Sequence, residues 1–347
     1  MSNKKPKIID GDGHVVEDHS AIAGRMSEIY RDRFGSGRSP YPPNDHLHAA
    51  NAHYLPPGAF AKVGREGWID FMEDVGLASA VLYPTNGLSF GRIVSLDWAI
   101  ELARAYNDWM HDEYLSKSRR FQALGLIPLQ EPAEAVKELR RIVKELGFCG
   151  AMLPSTGVMG AQNHLGDEKY WPIYEEANRL ACCIGIHGGV HDHMGLDDMT
   201  PYAPVNALGH PFGQMVNFAG MLFNGVFDKY PKVRFGFMEA GAGWVPYWME
   251  RLDEHYEYLQ PTVPWLTKPP SEYMRGGQLY YAFEMEEKTL PYVAEFVGAE
   301  QLIFASDYNH SDSKFPHTVE EVMERKDLSN ELKTKLMGEN AARLYNL

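Results

Sequence analysis

Residues 7–18 read KIIDGDGHVVED, which sets Asp10, Asp12 and His14 at every second position directly after an apolar pair. Residues two apart on a strand project to the same side. Asp12 and His14 therefore point together, as a chelating pair must, and Asp10 shares their side one pleat deeper. Carboxylate oxygen beside imidazole nitrogen suits zinc, iron or manganese, whereas all-oxygen sets suit magnesium or calcium. Three later apolar runs also end on a polar residue: CCIGIH at His187, RFGFME at Glu239 and LIFASD at Asp307. Singly, each of these is more often a satisfied core histidine, a helix cap or a turn aspartate. Their convergence at strand ends favours a metal, because crowded carboxylates in apolar surroundings repel one another and a cation relieves them. Asp12, His14, His187 and Asp307 make one ligand set for a divalent ion, with Glu239 and Asp307 as the proton-handling carboxylates.

A second set stands close by. His191 follows His187 by four residues in HGGVHDH, and His210 opens HPFGQMVNFAGMLF before the sixth apolar run. With Glu239 as a bridge they extend the expectation to one or two ions of zinc, iron or manganese per chain. His310, just beyond Asp307, and Trp244, in GWVPYWMERLDEHYEY, are candidate substrate contacts, although aromatics such as Trp244, Tyr247 and Trp248 more often pack a helix on the barrel than line a pocket. Ser306 has no G-x-S-x-G elbow around it, which leaves a serine hydrolase without support.

Those residues need elements to hold them. Eight apolar runs of strand length occur, at 7–10, 78–85, 121–129, 150–155, 182–189, 232–241, 278–284 and 301–308. Amphipathic windows at 95–117, 132–146, 168–181, 211–227, 244–259, 287–297 and 316–346 separate most of them. Such alternation means parallel strands joined by helical crossovers, and near-continuous apolar strands mean burial on both faces. No G-x-G-x-x-G follows an early strand, and eight strands favour an α/β fold of the (β/α)8 TIM-barrel type, in which strand ends converge on one catalytic face. Residues 1–347 are expected to form one barrel domain, with loop insertions at about 30–66, 190–210 and 259–276 over the carboxyl-end face.

The chain has 33 basic and 47 acidic residues, a net charge of −14, and no basic run longer than NKKPK. That balance argues against nucleic acid or an anionic membrane as partner and for a small molecule. No window approaches the ~18 apolar residues of a membrane span, so the expected location is the cytoplasm. Cys149, Cys182 and Cys183 sit in apolar runs and read as core thiols. Large barrels with long loops often assemble, so a homo-oligomer or a complex with a homologue is expected.

Taken together, IIDGDGHVVED, IGIHGG, VFDKYPKVRFGFMEAGAGWVPYWMERLDEH, LIFASDYNHSD and MGENAARLYNL resemble, in order and spacing, the amidohydrolase 2 branch of the metal-dependent hydrolase superfamily. The resemblance implies a distorted (β/α)8 barrel with a metal at the carboxyl ends of its strands, in a family that includes hydrolases and nonoxidative decarboxylases of aromatic acids. It places the first-strand ligand pair on Asp12 and His14, the fifth-strand ligand on His187 and the last-strand aspartate on Asp307. Where the family's decarboxylases have a sixth-strand histidine, this chain has Glu239 in MEAGAGW. A carboxylate there can act as base toward metal-bound water or bridge two ions. The leading expectation is metal-dependent hydrolysis or decarboxylation of a small carboxylate or aromatic substrate. The alternative is a dinuclear iron or iron/manganese oxygenase using His191 and His210, and a third reading is a noncatalytic partner subunit.

Overall fold

A computed structural model describes residues 7–34, 38–44, 46–47, 63–155, 164–190, 192, 194–310 and 313–347. His191 and most of the 30–66 insertion lie outside these residues. The described chain runs β1 (Ile8–Val15), α1 (His19–Ala23), α2 (Glu28–Phe34), α3 (Gly64–Val75), β2 (Leu77–Pro84), α4 (Leu96–Met110), β3 (Phe121–Leu126) and α5 (Pro132–Lys144). It continues through β4 (Gly150–Pro154), α6 (Trp171–Leu180), β5 (Cys183–His187), α7 (Tyr202–Phe223), α8 (Val226–Lys229) and β6 (Arg234–Met238). The last part is α9 (Trp244–Leu259), α10 (Pro270–Met274), β7 (Leu279–Phe283), α11 (Leu290–Phe296), β8 (Leu302–Phe304), α12 (Thr318–Met323), α13 (Asn330–Thr334) and α14 (Asn340–Tyr345).

All seven strand pairings are parallel and follow chain order, β1 beside β2 through β7 beside β8. Nearly every strand residue is buried, as the continuous apolar runs require of strands covered on both faces. The barrel closes beyond the end of β8: Asp307 N–H donates to Asp12 C=O at 3.0 Å and His14 N–H donates to Tyr308 C=O at 2.6 Å. Asp10 supplies a further rung with its side chain, accepting from Ser306 N–H at 2.9 Å and Ser306 Oγ–H at 2.5 Å. At the floor, α14 sends Tyr345 into the barrel, where its hydroxyl donates to Gly11 C=O at 2.6 Å and lies 2.9 Å from the Tyr83 hydroxyl.

Two sequence expectations change. The strand runs ending at Glu239 and Asp307 are shorter than read, because both residues take left-handed backbone, φ 52° and 51°, which extended structure cannot continue. The helix expected from Pro211 begins nine residues earlier, at Tyr202, and carries Pro211 inside it. The 190–210 segment is therefore half helix. Proline is favoured at a helix start, which is why the sequence points there, but it is tolerated in the interior when packing holds the kinked turn. The 259–276 segment likewise contains α10. Among the described residues, no helix is long and apolar enough to cross a membrane.

Candidate metal centre

Asp12 and His14 leave β1 side by side, His187 ends β5, and Glu239 and Asp307 begin the turns after β6 and β8. Their functional atoms converge. Asp12 Oδ1 lies 3.5 Å from His14 Nε2, and Asp12 Oδ2 lies 3.3 Å from His187 Nε2. Asp307 Oδ1 is 3.4 Å from His14 Nε2, and Glu239 Oε2 is 3.2 Å from His187 Nε2. Asp12, His14 and His187 each offer a ligand atom within 4.8 Å of the other two, and His14, Glu239, Asp307 and His310 form a second such group. Both groups share His14.

The histidine tautomers are set from behind. His14 Nδ1 faces Pro84 C=O at 2.9 Å and His187 Nδ1 faces Gly188 C=O at 3.0 Å, so each Nδ1–H donates and each Nε2 turns its lone pair inward. Burial, with His310 and His187 nearby, holds the His14 imidazole well below its ordinary pKa and keeps it neutral. For His187, burial alone would do the same, but the Asp12 and Glu239 carboxylates outweigh it and raise the value. Asp10, buried beneath them, is pushed up to about 7 by burial against the bonds from Ser306 and Asp12.

Asp12 Oδ1, His14 Nε2 and His187 Nε2 are all buried and make no hydrogen bond. Each such atom costs on the order of 1–3 kcal/mol when left without a partner. Three aimed at one point, two nitrogen and one oxygen, are the donor set of a divalent cation. The residues present thus fit a metal.

His310 joins this centre. Its Nδ1 lies 2.8 Å from Asp307 Oδ1, its Nε2 is 3.0 Å from Thr85 Oγ1, and its ring stacks on His14 at 3.8 Å between centroids. His210 reaches it from within α7, with Nδ1 3.8 Å from Glu239 Oε1. Gly188 makes that approach possible, since a Cβ there would strike the His210 ring. Trp244 is a correction: it packs in the core against Phe218 and Tyr281, and its Nε1 donates to Gly241 C=O at 2.9 Å. It does not line the cavity, because the first turn of α9 faces the barrel wall. His191, expected at a second ion, lies outside the described residues.

A cavity of about 330 Å³ opens beside the centre, at the small end for a ligand site. Its lining combines Asp12, His210, Glu239 and Asp307 of the centre with apolar Ala207, Pro211, Ala282, Met285 and Ala305 and charged Glu284, Glu286, Glu287 and Lys314. Lys314 Nζ pairs with Glu286 at 3.0 Å. Sequence reading missed Gln214 and Glu287, which bind the backbone around Glu239. Gln214 follows His210 by one helical turn, a signal hidden by placing the helix start at Pro211.

The amidohydrolase family model matches residues 46–347. The match begins after β1, so Asp12 and His14 join the centre on geometry alone. The 2-amino-3-carboxymuconate-6-semialdehyde decarboxylase of Dictyostelium discoideum is 28% identical over 76% of this chain and 71% of its own length. Among solved structures, the 5-carboxyvanillate decarboxylase of Sphingomonas paucimobilis superposes with a TM-score of 0.78 at 21% identity, covering 99% of this chain and 100% of that one. A dihydroxybenzoic acid decarboxylase from Polaromonas, solved with bound manganese, gives 0.73 at 20% identity over 99% and 98% of the two chains. By its matched length and its barrel, the chain belongs to the amidohydrolase family.

Proposed function

We propose that this protein is a divalent-metal-dependent, nonoxidative decarboxylase of a small aromatic or conjugated carboxylic acid. Asp12, His14, His187 and Asp307 hold the ion, and manganese or zinc suits that donor set. The observation that carries the reading is the trio of buried atoms without hydrogen bonds, Asp12 Oδ1, His14 Nε2 and His187 Nε2, of which Asp12 also lines, with Glu239 and Asp307, a cavity large enough for one small ring. When bound, the ion supplies positive charge that orients and polarises the substrate oxygens.

The protein's own groups do the rest. The apolar wall holds the ring and excludes water from the breaking bond. Cleavage of the carbon–carboxylate bond leaves its electron pair on the ring carbon, and a proton from Glu239 must reach that carbon as carbon dioxide departs. Glu239 lines the cavity and is the group placed for this, with the His210 and His310 rings beside it, Nδ1 at 3.8 and 3.9 Å from its Oε1. Thr85 and Asp307 fix the His310 ring from both nitrogens. The relatives support cleavage without oxygen, since those described are decarboxylases. The oxygenase alternative draws no support from them and is not carried forward.

The test is release of labelled carbon dioxide under argon from carboxyl-labelled dihydroxybenzoates, 5-carboxyvanillate and 2-amino-3-carboxymuconate semialdehyde, with metal content measured on the same sample. The expected result is release that follows Mn²⁺ occupancy and stops with a chelator. Substrate loss that requires oxygen uptake, or no release from any of these acids by metal-loaded protein, sinks the reading.

A further inference from the structure

Glu239 sits in backbone that a non-glycine residue seldom adopts, φ 52°, and something must hold it there. Two side chains grip the backbone on either side of it. Before it, Gln214 of α7 is fully buried and its Nε2 donates to Met238 C=O at 2.8 Å and to Ile186 C=O at 2.9 Å. Those carbonyls belong to the residues immediately preceding Glu239 and His187. The amide cannot be turned over, since its oxygen would then face two carbonyl oxygens. Its Oε1 is left buried with no hydrogen bond, so the residue is kept for what its nitrogen does.

After Glu239, the turn Ala240–Gly243 wraps around the carboxylate of Glu287, which follows β7. Glu287 accepts from Ala242 N–H at 3.0 Å and Gly243 N–H at 2.8 Å, and from Glu284 N–H at 3.2 Å in its own loop. Gly241 has φ 63°, and a Cβ on it would press on Glu287 Oε1, so the turn is shaped to this carboxylate. The same oxygens cap the amino end of α9, where negative charge is favoured.

We infer that Gln214 and Glu287 are positioning residues that clamp the backbone before and after Glu239 and so fix its carboxylate at the metal centre. Neither touches the ion site itself; both act through Glu239. The inference rests on the reading of the centre as a cation site, and the test separates the two.

The experiment is a double-mutant cycle read by Mn²⁺ affinity, with Gln214→Met and Glu287→Gln each made alone and on Glu239→Gln. Melting temperature is measured on all variants. Glu239→Gln weakens Mn²⁺ about tenfold or more by removing a charge beside the ligands. Each clamp variant is expected to weaken Mn²⁺ about three- to tenfold in the natural protein and less than twofold on Glu239→Gln, whereas any loss of melting temperature is equal in both backgrounds. Equal affinity losses in both backgrounds, or none in the natural protein, overturn the clamp. If the natural protein binds no Mn²⁺, the metal reading falls and the clamp is judged by amide hydrogen exchange. Faster exchange at Ala240–Gly243 in Glu287→Gln then sustains it, and unchanged exchange overturns it. Should Gln214→Met fail to fold, Glu287→Gln, which keeps the size of the side chain and replaces its charge and one acceptor oxygen with an amide NH2, decides alone.

Discussion

At the scale of single residues, the proposed function assigns holding and transferring to different groups of the centre. His14 and His187 each spend Nδ1–H on a backbone carbonyl, which leaves Nε2 no role in the protein's own hydrogen bonding. Glu239 is different: it faces His187, His210 and His310 together, at 3.2, 3.8 and 3.9 Å. Substitution should split these roles. His187→Ala is expected to abolish stoichiometric Mn²⁺, measured by elemental analysis after dialysis. Glu239→Gln is expected to bind Mn²⁺ when it is supplied in excess while turnover falls about 10²- to 10⁴-fold, the range of a positioned acid–base group. Full turnover in Glu239→Gln at saturating Mn²⁺ would move the proton to another group. The convergence of Asp12, His14, His187 and Asp307 was legible in the sequence because period two and strand ends are local properties. Gln214 and Glu287 were not, since the carbonyls and amides they bind are remote in the chain. Trp244 shows the converse: an aromatic one turn beyond Glu239 looks like a pocket residue until the helix packs it inward.

At the scale of elements, apolar runs located all eight strands, because strands buried on both faces need apolar sequence, although β1 runs on past its apolar start through Asp10, Asp12 and His14. Their carboxyl ends were less legible, since the left-handed turns at Glu239 and Asp307 follow from packing and barrel closure and have no glycine to announce them. The outer helices are locally encoded. In α5, Glu131 caps, Pro132 opens the first turn, and Arg141 and Lys144 occupy the last, each matching the helix dipole or its unpaired amides. The α5–α6 pair also carries a titratable tie. Glu176 accepts from Arg140 Nε at 2.9 Å and from Arg179 Nε at 2.9 Å, and the Arg179 and Arg140 guanidiniums lower its pKa to about 2 against the effect of burial. A carboxyl depressed in the folded state stabilises fully above its unfolded value near 4.5 and loses that contribution as pH falls toward 2. Both arginines are half exposed, so solvent screening keeps the tie weak. Denaturant unfolding should therefore find Glu176→Gln less stable by a constant amount above about pH 5, with the gap narrowing as pH falls through the acid range. An unchanged gap at acid pH would mean that the pair contributes through packing alone.

At the scale of the whole molecule, charge sets what the cavity admits. The chain carries a net −14, and the cavity wall adds Glu284 and Glu286 to the carboxylates of the centre against Lys314 on the same wall, the Glu287 carboxylate being taken up by backbone amides. Such a field concentrates divalent cations at the mouth and opposes an anion, so on the proposed function the ion binds before the carboxylate. The two ligands should respond to salt with opposite sign. Raising ionic strength from about 0.01 M to about 0.15 M shortens the screening length from roughly 30 Å to roughly 8 Å, which removes the long-range part of the field and leaves contacts within the centre nearly untouched. The dissociation constant for Mn²⁺ is then expected to rise, while KM for a carboxylate substrate at saturating Mn²⁺ falls and kcat stays constant. Lys314→Gln should raise KM at low salt, because it removes a cation from the wall, and the increase should shrink as salt is added. A KM that rises with salt would show that the substrate is drawn in by Lys314 and the bound ion more strongly than the acidic wall repels it. The proton transfer proposed for Glu239 depends on contact distances and would remain unchanged.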